Sequence, residues 1–294
     1  MLSLHTNNAS LSAQNSIAKT QSQLSTSMTR LSTGYRINSA MDDAAGLQIA
    51  TRLKAQTSGM TVAMSNTQNS TSLLQTAEGA FGEVTNMLVR MKDLATQAAD
   101  ASSNTADKGA MQAEYDALSL ELYNVMTNTT FGGEKLLGKG TTGNGTLSEA
   151  KMTFQIGAAK SETMDFTVQT DMAALDGLLT GASAKNFLAV STGVGDELTA
   201  AGKANTTIGN LATIIDKVST VRSALGAAAN RLDHVNSNLS NIATNTKAAT
   251  GRIMDVDFAT ESSNMTSSQM LLQAGTAMLK QSNSMSSMVM SLLQ

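Results

Sequence analysis

The sequence predicts a mainly α-helical protein, an elongated antiparallel coiled coil or helical bundle with one small β-hairpin. Three observations carry this expectation. Two long stretches, one in each half, place apolar residues in alternating four- and three-residue steps, the spacing of an a/d seam. The chain of 294 residues contains no proline, so nothing interrupts long helices. Between the helical halves the apolar pattern changes to a period of two, which belongs to strands.

From the start of the chain, Leu4 and Leu11 are seven residues apart, and Ile17, Leu24 and Leu31 continue at that interval on a neighbouring row. A helix start follows in "INSAMDDAAGLQIA", residues 37–50. Ser39 is placed as its N-cap, Asp42 falls at the third helical position as in a capping box, and Asp43 adds charge where the helix dipole favours it. Each effect is worth about 0.5–1 kcal/mol.

The first long seam then has Leu53, Met60, Thr67, Leu74, Phe81, Leu88 and Ala95 on one row, and Ala63, Ser70, Ala77, Val84, Met91 and Ala98 on the other. Gly79 and Gly82 mark a break within it. A shorter pattern, Met111, Tyr115, Leu118, Leu122 and Val125, ends at "NTTFGG". These segments can bury one another's stripes as a bundle.

The period-two region comes next. Met152, Phe154 and Ile156, then Met164, Phe166 and Val168, alternate with polar neighbours, which predicts a β-hairpin near 151–169 with one face on the bundle. "GKGTTGNG" before it is a loop, and residues 180–205 after it form a short loop insertion with one helical turn around 184–189.

The second seam runs through Leu211, Val218, Leu225, Leu232, Leu239, Thr246 and Ile253, and through Ile214, Val221, Ala228, Val235, Ile242 and Ala249. A helix of this extent is roughly 65 Å long. At the C-terminal end Leu271, Met278, Met285 and Leu292 are spaced by seven, beside Met265, Leu272 and Leu279. The terminal stripes lie beyond the segments that already satisfy one another, so their partner is the opposite terminus or another copy. Methionine, soft and adaptable, suits a repeated contact.

Composition excludes several classes. Charged residues make up 15% against about 25% in an average protein, and the net charge is -3, neither basic enough for nucleic acid nor extreme enough for an acidic tail. A surface of Ser, Thr, Asn, Gln and Ala repels its own copies weakly and tolerates self-association. Zero cysteine removes disulfides and thiolate metal sites. The start "MLSLHTNNAS" lacks a secretory signal, and no apolar stretch is long enough for a membrane span.

The chemical motifs lack context. His5 and His234 stand without partners for a metal or for acid/base work, so Asp42 and Asp43 are a helix start. Gly138, Gly140 and Gly143 match G-x-G-x-x-G but open no helix, and "GEKLLGKG" has Gly140 where a P-loop needs Ser or Thr. No catalytic, cofactor or metal site is expected.

Two long stretches identify a family. "LSTGYRINSAMDDAAGLQIATRL" and "RIMDVDFATESSNMTSSQMLLQAGTAMLKQSN" closely resemble the terminal signatures of bacterial flagellin, and the resemblance covers about residues 1–179 and 205–294. It implies a structural, non-enzymatic subunit that self-assembles into the extracellular filament of the bacterial flagellum for motility. It further implies that the N- and C-termini are paired, residues 1–44 and 255–294 being the two halves of an inner-tube helical domain. Residues 45–254 would form the wall domain, and the large outer variable domains would be absent. Assembly contacts are then expected at Leu4, Leu11, Ile17, Leu24, Leu31, Leu271, Leu272, Met278, Leu279, Met285 and Leu292.

The same resemblance implies export without a cleavable signal peptide, through the flagellum's own channel and with an export chaperone. Cap and junction proteins are implied as further partners, as is recognition by a vertebrate innate immune receptor. The receptor surface corresponds to "LVRMKDLATQAA" and "QAEYDALSLEL", with Arg90, Leu94, Gln97 and Glu114 at the expected places and Val89, Lys92, Asp93 and Thr96 departing from the commonest pattern. Those residues are expected to pack against neighbouring subunits as well. The nearest alternative is a hook-filament junction protein of the same terminal architecture. An enzyme would need catalytic residues in 180–205 that are not there, and a helical signalling module would lack the β-hairpin.

Overall fold

The computed structural model describes residues 7–138, 145–180, 187 and 194–292, with side chains as far as Ser284. The helices are α1 (Asn8–Thr33), α2 (Ala44–Ala99), α3 (Thr105–Asn128), α4 (Gln169–Thr180), α5 (Lys203–Met254) and α6 (Phe258–Leu292). Strands β1 (Thr130–Phe131) and β2 (Glu134–Lys135) make a minimal hairpin, and β3 (Met152–Gln155) and β4 (Thr163–Phe166) make a longer one. The chain divides into two compact units, residues 1–57 with 243–294, and residues 58–242.

In the unit of residues 58–242, the α2 seam is buried as its spacing requires. Met60, Ala63, Thr67, Leu74, Ala77, Phe81, Val84, Leu88, Met91, Ala95 and Ala98 are all sealed from solvent. From Leu74 onward they share a core with Tyr115, Leu122 and Met126 of α3 and with Leu211, Ile214, Val218, Val221, Leu225, Ala228 and Leu232 of α5. The expected break at Gly79 and Gly82 does not occur, for α2 runs unbroken from Ala44 to Ala99. A helical glycine costs about 1 kcal/mol relative to alanine, and the burial of Ala77, Phe81 and Val84 around these two outweighs it.

The longer hairpin pairs antiparallel in the register Met152↔Phe166 and Phe154↔Met164. Met152, Phe154, Met164, Phe166 and Val168 enter the core, as the alternation predicts, and Ile156 is half-buried. On the outer face Lys151 and Thr153 both reach Asp165, at 2.8 and 3.2 Å.

Two elements were not legible in the pattern. Helix α4 buries Met172, Leu175 and Leu179 directly after the hairpin, and β1 and β2 turn through Gly132 and Gly133, both at positive φ. The expected helical turn at 184–189 and most of the 138–145 glycine loop lie outside the described residues.

The Leu211 row of the second seam holds to its end, with Leu239 buried and Thr246 and Ile253 half-buried, whereas the Ile214 row, half-buried at Val235 and Ala249, fails at one position. Ile242, expected on the buried d row, is 39% exposed, while Ala243 is buried. Burial passes through Leu239, Ala243, Thr246 and Thr250. A straight α-helix drifts by about 20° per heptad against a strict seven-residue repeat, which turns Ile242 outward and brings Ala243 onto the packed face.

Candidate assembly surfaces

In the unit of residues 1–57 and 243–294, α1 and α6 pack along their length. The buried and half-buried positions of α1 are Ser10, Ala13, Ile17, Thr20, Leu24, Ser27 and Leu31, with Arg30 beside them, and those of α6 are Glu261, Met265, Ser268, Leu272, Gly275, Leu279 and Ser282. Both sets have a/d spacing, and many of the side chains are small, which lets the helix axes approach closely.

Polar contacts fix the register of the pair. Asn7 caps α1 by accepting from the Ser10 N–H, and its Nδ2 donates to the Ser282 carbonyl at 3.3 Å and to the Ser282 hydroxyl at 3.2 Å. The Ser10 hydroxyl donates to Asn283 at 3.2 Å. Near the other end the Ser27 hydroxyl donates to the buried Glu261 carboxylate at 2.6 Å, with Arg30 at 3.9 Å from the other carboxylate oxygen. A sliding of one helix past the other would strand Glu261 without these partners, which is how a buried polar contact selects register.

The helix breaks are joined too. Helix α1 ends at Gly34 in the left-handed conformation, and Tyr35 forms an antiparallel bridge with Asp255. The Arg36 N–H donates to the Met254 carbonyl at 2.6 Å, its guanidinium donates to the Ile253 carbonyl at 2.7 Å, and the Val256 N–H donates to the Gly34 carbonyl at 3.0 Å.

The Asp pair lies in this break, and the reading of its parts needs correction. Helix α2 begins at Ala44, beyond Ser39, and Asp43 is the residue that caps it, accepting from the Gly46 N–H at 2.9 Å. Ser39 and Asp42 instead close a tight turn just before. The Asp42 carboxylate accepts from the backbone N–H groups of Ser39 and Asn38 at 2.9 and 3.0 Å, which hold its pKa below the ordinary carboxylate value. Any of Ser39, Asp42 or Asp43 can cap a helix by chemistry alone, and only the path of the chain selects among them.

The expected terminal rows part company in space. Ile17, Leu24, Leu31, Leu272 and Leu279 are half-buried, on the rows that face the opposite terminal helix. Leu11 is 54% exposed, Leu271 60% and Met278 67%, together with Met270 at 60%. Leu4 lies outside the described residues, as do the side chains of Met285 and Leu292. The unit therefore closes one seam internally and leaves a second apolar stripe facing out.

On the unit of residues 58–242, Arg90 and Glu114 bridge α2 and α3, with Nε and Nη2 both donating to one carboxylate oxygen at 2.8 and 2.6 Å. Both are about half exposed, and Gln97 is exposed on the same helix as Arg90. Leu94 departs from expectation. It is 2% exposed and belongs to the core with Met91 and Ala95, so an outside partner cannot reach it on the folded subunit. The spacing from Met91 had placed it beside the buried row, and the packing of α3 and α5 turns it inward.

A polar cluster was missed altogether. Gln112 is fully buried, and its Nε2 donates to Asp116 at 2.9 Å and to the buried Glu197 at 2.8 Å. Its Oε1 accepts from the Leu198 N–H at 2.7 Å. Asp116 also accepts from the Gly195 N–H at 2.9 Å, so the segment around Glu197 is fastened to α3. Burial pushes the pKa of the neighbouring Tyr115 phenol far above its usual value, and the charges of Glu197 and Asp116 push it further. A glutamine in an apolar stripe reads as an exposed position, and no spacing rule would have found this cluster.

Among the described residues no group of three or more His, Asp or Glu side chains could hold a metal ion, and no helix is long and apolar enough to cross a membrane. Paired terminal helices, a seamed helical core and outward apolar rows define a coiled-coil building block. Residues 4–142 match the description "Bacterial flagellin N-terminal helical region" and residues 208–293 match "Bacterial flagellin C-terminal helical region". The chain belongs to the bacterial flagellin family.

Flagellin A of Vibrio anguillarum is 34% identical to it over 385 aligned positions, covering 100% of both chains. Polar flagellin C of Vibrio parahaemolyticus is 32% identical over 390 positions with the same full coverage. Alignments longer than the 294 residues present here mean that these relatives carry residues without counterparts in this short form. A solved structure of a putative flagellar hook-associated protein from Vibrio parahaemolyticus shares the fold with a TM-score of 0.55 at 17% identity, over 73% of this chain and 100% of that one.

Proposed function

We infer that this chain is the filament subunit of a bacterial flagellum, a structural protein that polymerises through the terminal helix pair. The observation that carries the reading is the outward apolar side chains, Leu11 on α1 and Met270, Leu271 and Met278 on α6, left over after the two helices have satisfied each other. Large apolar side chains at 54–67% exposure in one small unit are expensive in water, and a second copy is the partner that every subunit meets. No observation favours the hook-filament junction alternative.

Residues 1–44 with 255–294 form the inner tube, and residues 45–254 form the wall. The breaks before Ala44 and after Met254, tied together through Tyr35 and Asp255, support that division. The subunit works outside the cell and is exported without a cleaved signal, held on the way by a chaperone and met at the filament ends by cap and junction proteins. Arg90, Gln97 and Glu114 serve a neighbouring subunit in the filament and, on released monomer, a vertebrate innate receptor. Their exposure supports this, whereas Leu94 acts only by holding the helix in place.

The test is regrowth. Purified chain, dissociated and returned to neutral pH with filament seeds, should build filaments visible by electron microscopy. Leu271→Glu should leave helicity unchanged and stop growth, because a charge would have to be buried at each contact. Normal filaments from Leu271→Glu would show that this stripe is not the interface.

A further inference from the structure

We propose that Met270 and Met278 are an oxidation site on the outward stripe of α6, taking a two-electron oxygen donor such as hydrogen peroxide, and that their sulfoxides block polymerisation. The inference rests on the filament reading above, and it adds a chemical control at the same surface.

The chain contains 19 methionines and no cysteine, so thioethers are the sulfur atoms an oxidant meets first. They are not equally open. Met60, Met91, Met126, Met164 and Met172 are sealed in the core, none more than 3% exposed. Met270 and Met278 are 60% and 67% exposed. They belong to the helix face that the α1 contact does not use, on either side of Leu271 and the exposed Ala274. The other half of α6, through Met265, Leu272 and Leu279, is the one turned toward α1.

The reaction is balanced. The thioether sulfur attacks one oxygen of the peroxide, an S–O bond forms as the O–O bond breaks, sulfur gives up two electrons, and the other oxygen leaves as water after proton transfer. The product is a polar, chiral sulfoxide in place of a flexible apolar side chain. In the monomer it points into water at little cost. In a contact between copies its oxygen would be buried without a designed donor, a penalty repeated at every subunit added.

The test compares peroxide-treated monomer with untreated monomer. Peptide mass spectrometry should find added oxygen at Met270 and Met278, and none at Met91 or Met126. Oxidation should raise the monomer concentration needed for seeded growth by about tenfold or more. Treatment with a thiol-dependent sulfoxide reductase should restore growth. The double variant Met270→Leu/Met278→Leu, its helicity checked by circular dichroism, should grow equally well before and after peroxide. Met41→Leu should not protect, because Met41 is 97% exposed in the turn before α2, away from the stripe. Normal growth of parent chain oxidised at both sites would overturn the proposal, as would loss of growth by the oxidised double variant. Failure of the untreated parent to grow would overturn the filament reading first, and the site with it.

Discussion

Ile17 occupies the space that Gly275 leaves open. A Cβ on residue 275 would lie 2.9 Å from the Ile17 Cγ1, inside any normal contact distance. The close approach of α1 and α6 therefore depends on one position without a side chain. Gly275→Val should weaken the pair by about 1–3 kcal/mol, the usual cost of forcing volume into a packed contact. Ile17→Ala in the same chain should recover part of the loss. Thermal melting followed at the helical signal measures both, and equal melting of parent and Gly275→Val would show that the helices can separate without consequence.

Asp43 and Asp42, though adjacent, should answer differently to substitution. Asp43→Ala removes the N-cap of α2 and should cost about 1 kcal/mol, while Asp43→Ser should cost less because serine also caps. Ser39→Ala should cost less than Asp43→Ala, since Ser39 lies outside the helix.

The pH dependence belongs to Asp42. Its carboxylate accepts chiefly from the Ser39 N–H and then from the Asn38 N–H, so its pKa in the folded chain is below the ordinary 3.8. A lowered pKa stabilises the fold fully above the unfolded value and ceases to do so as pH falls through the folded one. The melting temperature of the parent should therefore exceed that of Asp42→Asn at neutral pH, and the gap should narrow below pH 3.8. A gap that stayed constant into acid would mean that the turn does not depend on the charge.

Arg90 and Leu94, one turn apart on α2, separate surface from core. The Arg90–Glu114 pair is half exposed, and Arg90→Ala should lower stability by about 0–1 kcal/mol. Leu94→Ala should cost about 2–5 kcal/mol through the cavity it leaves. If the receptor reads this surface, Arg90→Ala monomer should signal more weakly while melting normally. Leu94→Ala should signal weakly only at temperatures where its melting is also lowered. Parallel loss of signalling and stability in Arg90→Ala would remove it from the recognition surface.

Gln112 should be intolerant of a purely apolar replacement. Gln112→Leu would leave the Leu198 N–H, Asp116 and the buried Glu197 each without a partner they now have. A cost of about 1–3 kcal/mol is expected for each buried group that finds no substitute. Limited proteolysis should then cut between residues 194 and 203 in Gln112→Leu faster than in the parent. Equal rates would show that the segment is held by Leu198 packing alone.

By itself the sequence determined the elements whose cause is periodic. The absence of proline and the 4-3 spacing made α2 and α5 legible, and alternation made the place and inward face of the β3–β4 hairpin legible, because each face repeats at the interval its backbone dictates. Where a single choice among equivalent chemistries was at stake, only the tertiary structure decided. Asp43 rather than Ser39 caps α2 because the chain is still bridging Tyr35 to Asp255 a few residues earlier. Gly79 and Gly82 stay helical because their neighbours are buried. Leu94 turns inward because α3 and α5 close over it. Ile17 and Leu272 meet the opposite helix while Leu271 and Met278 do not, since on neighbouring rows of one amphipathic helix the face that is used depends on what it packs against.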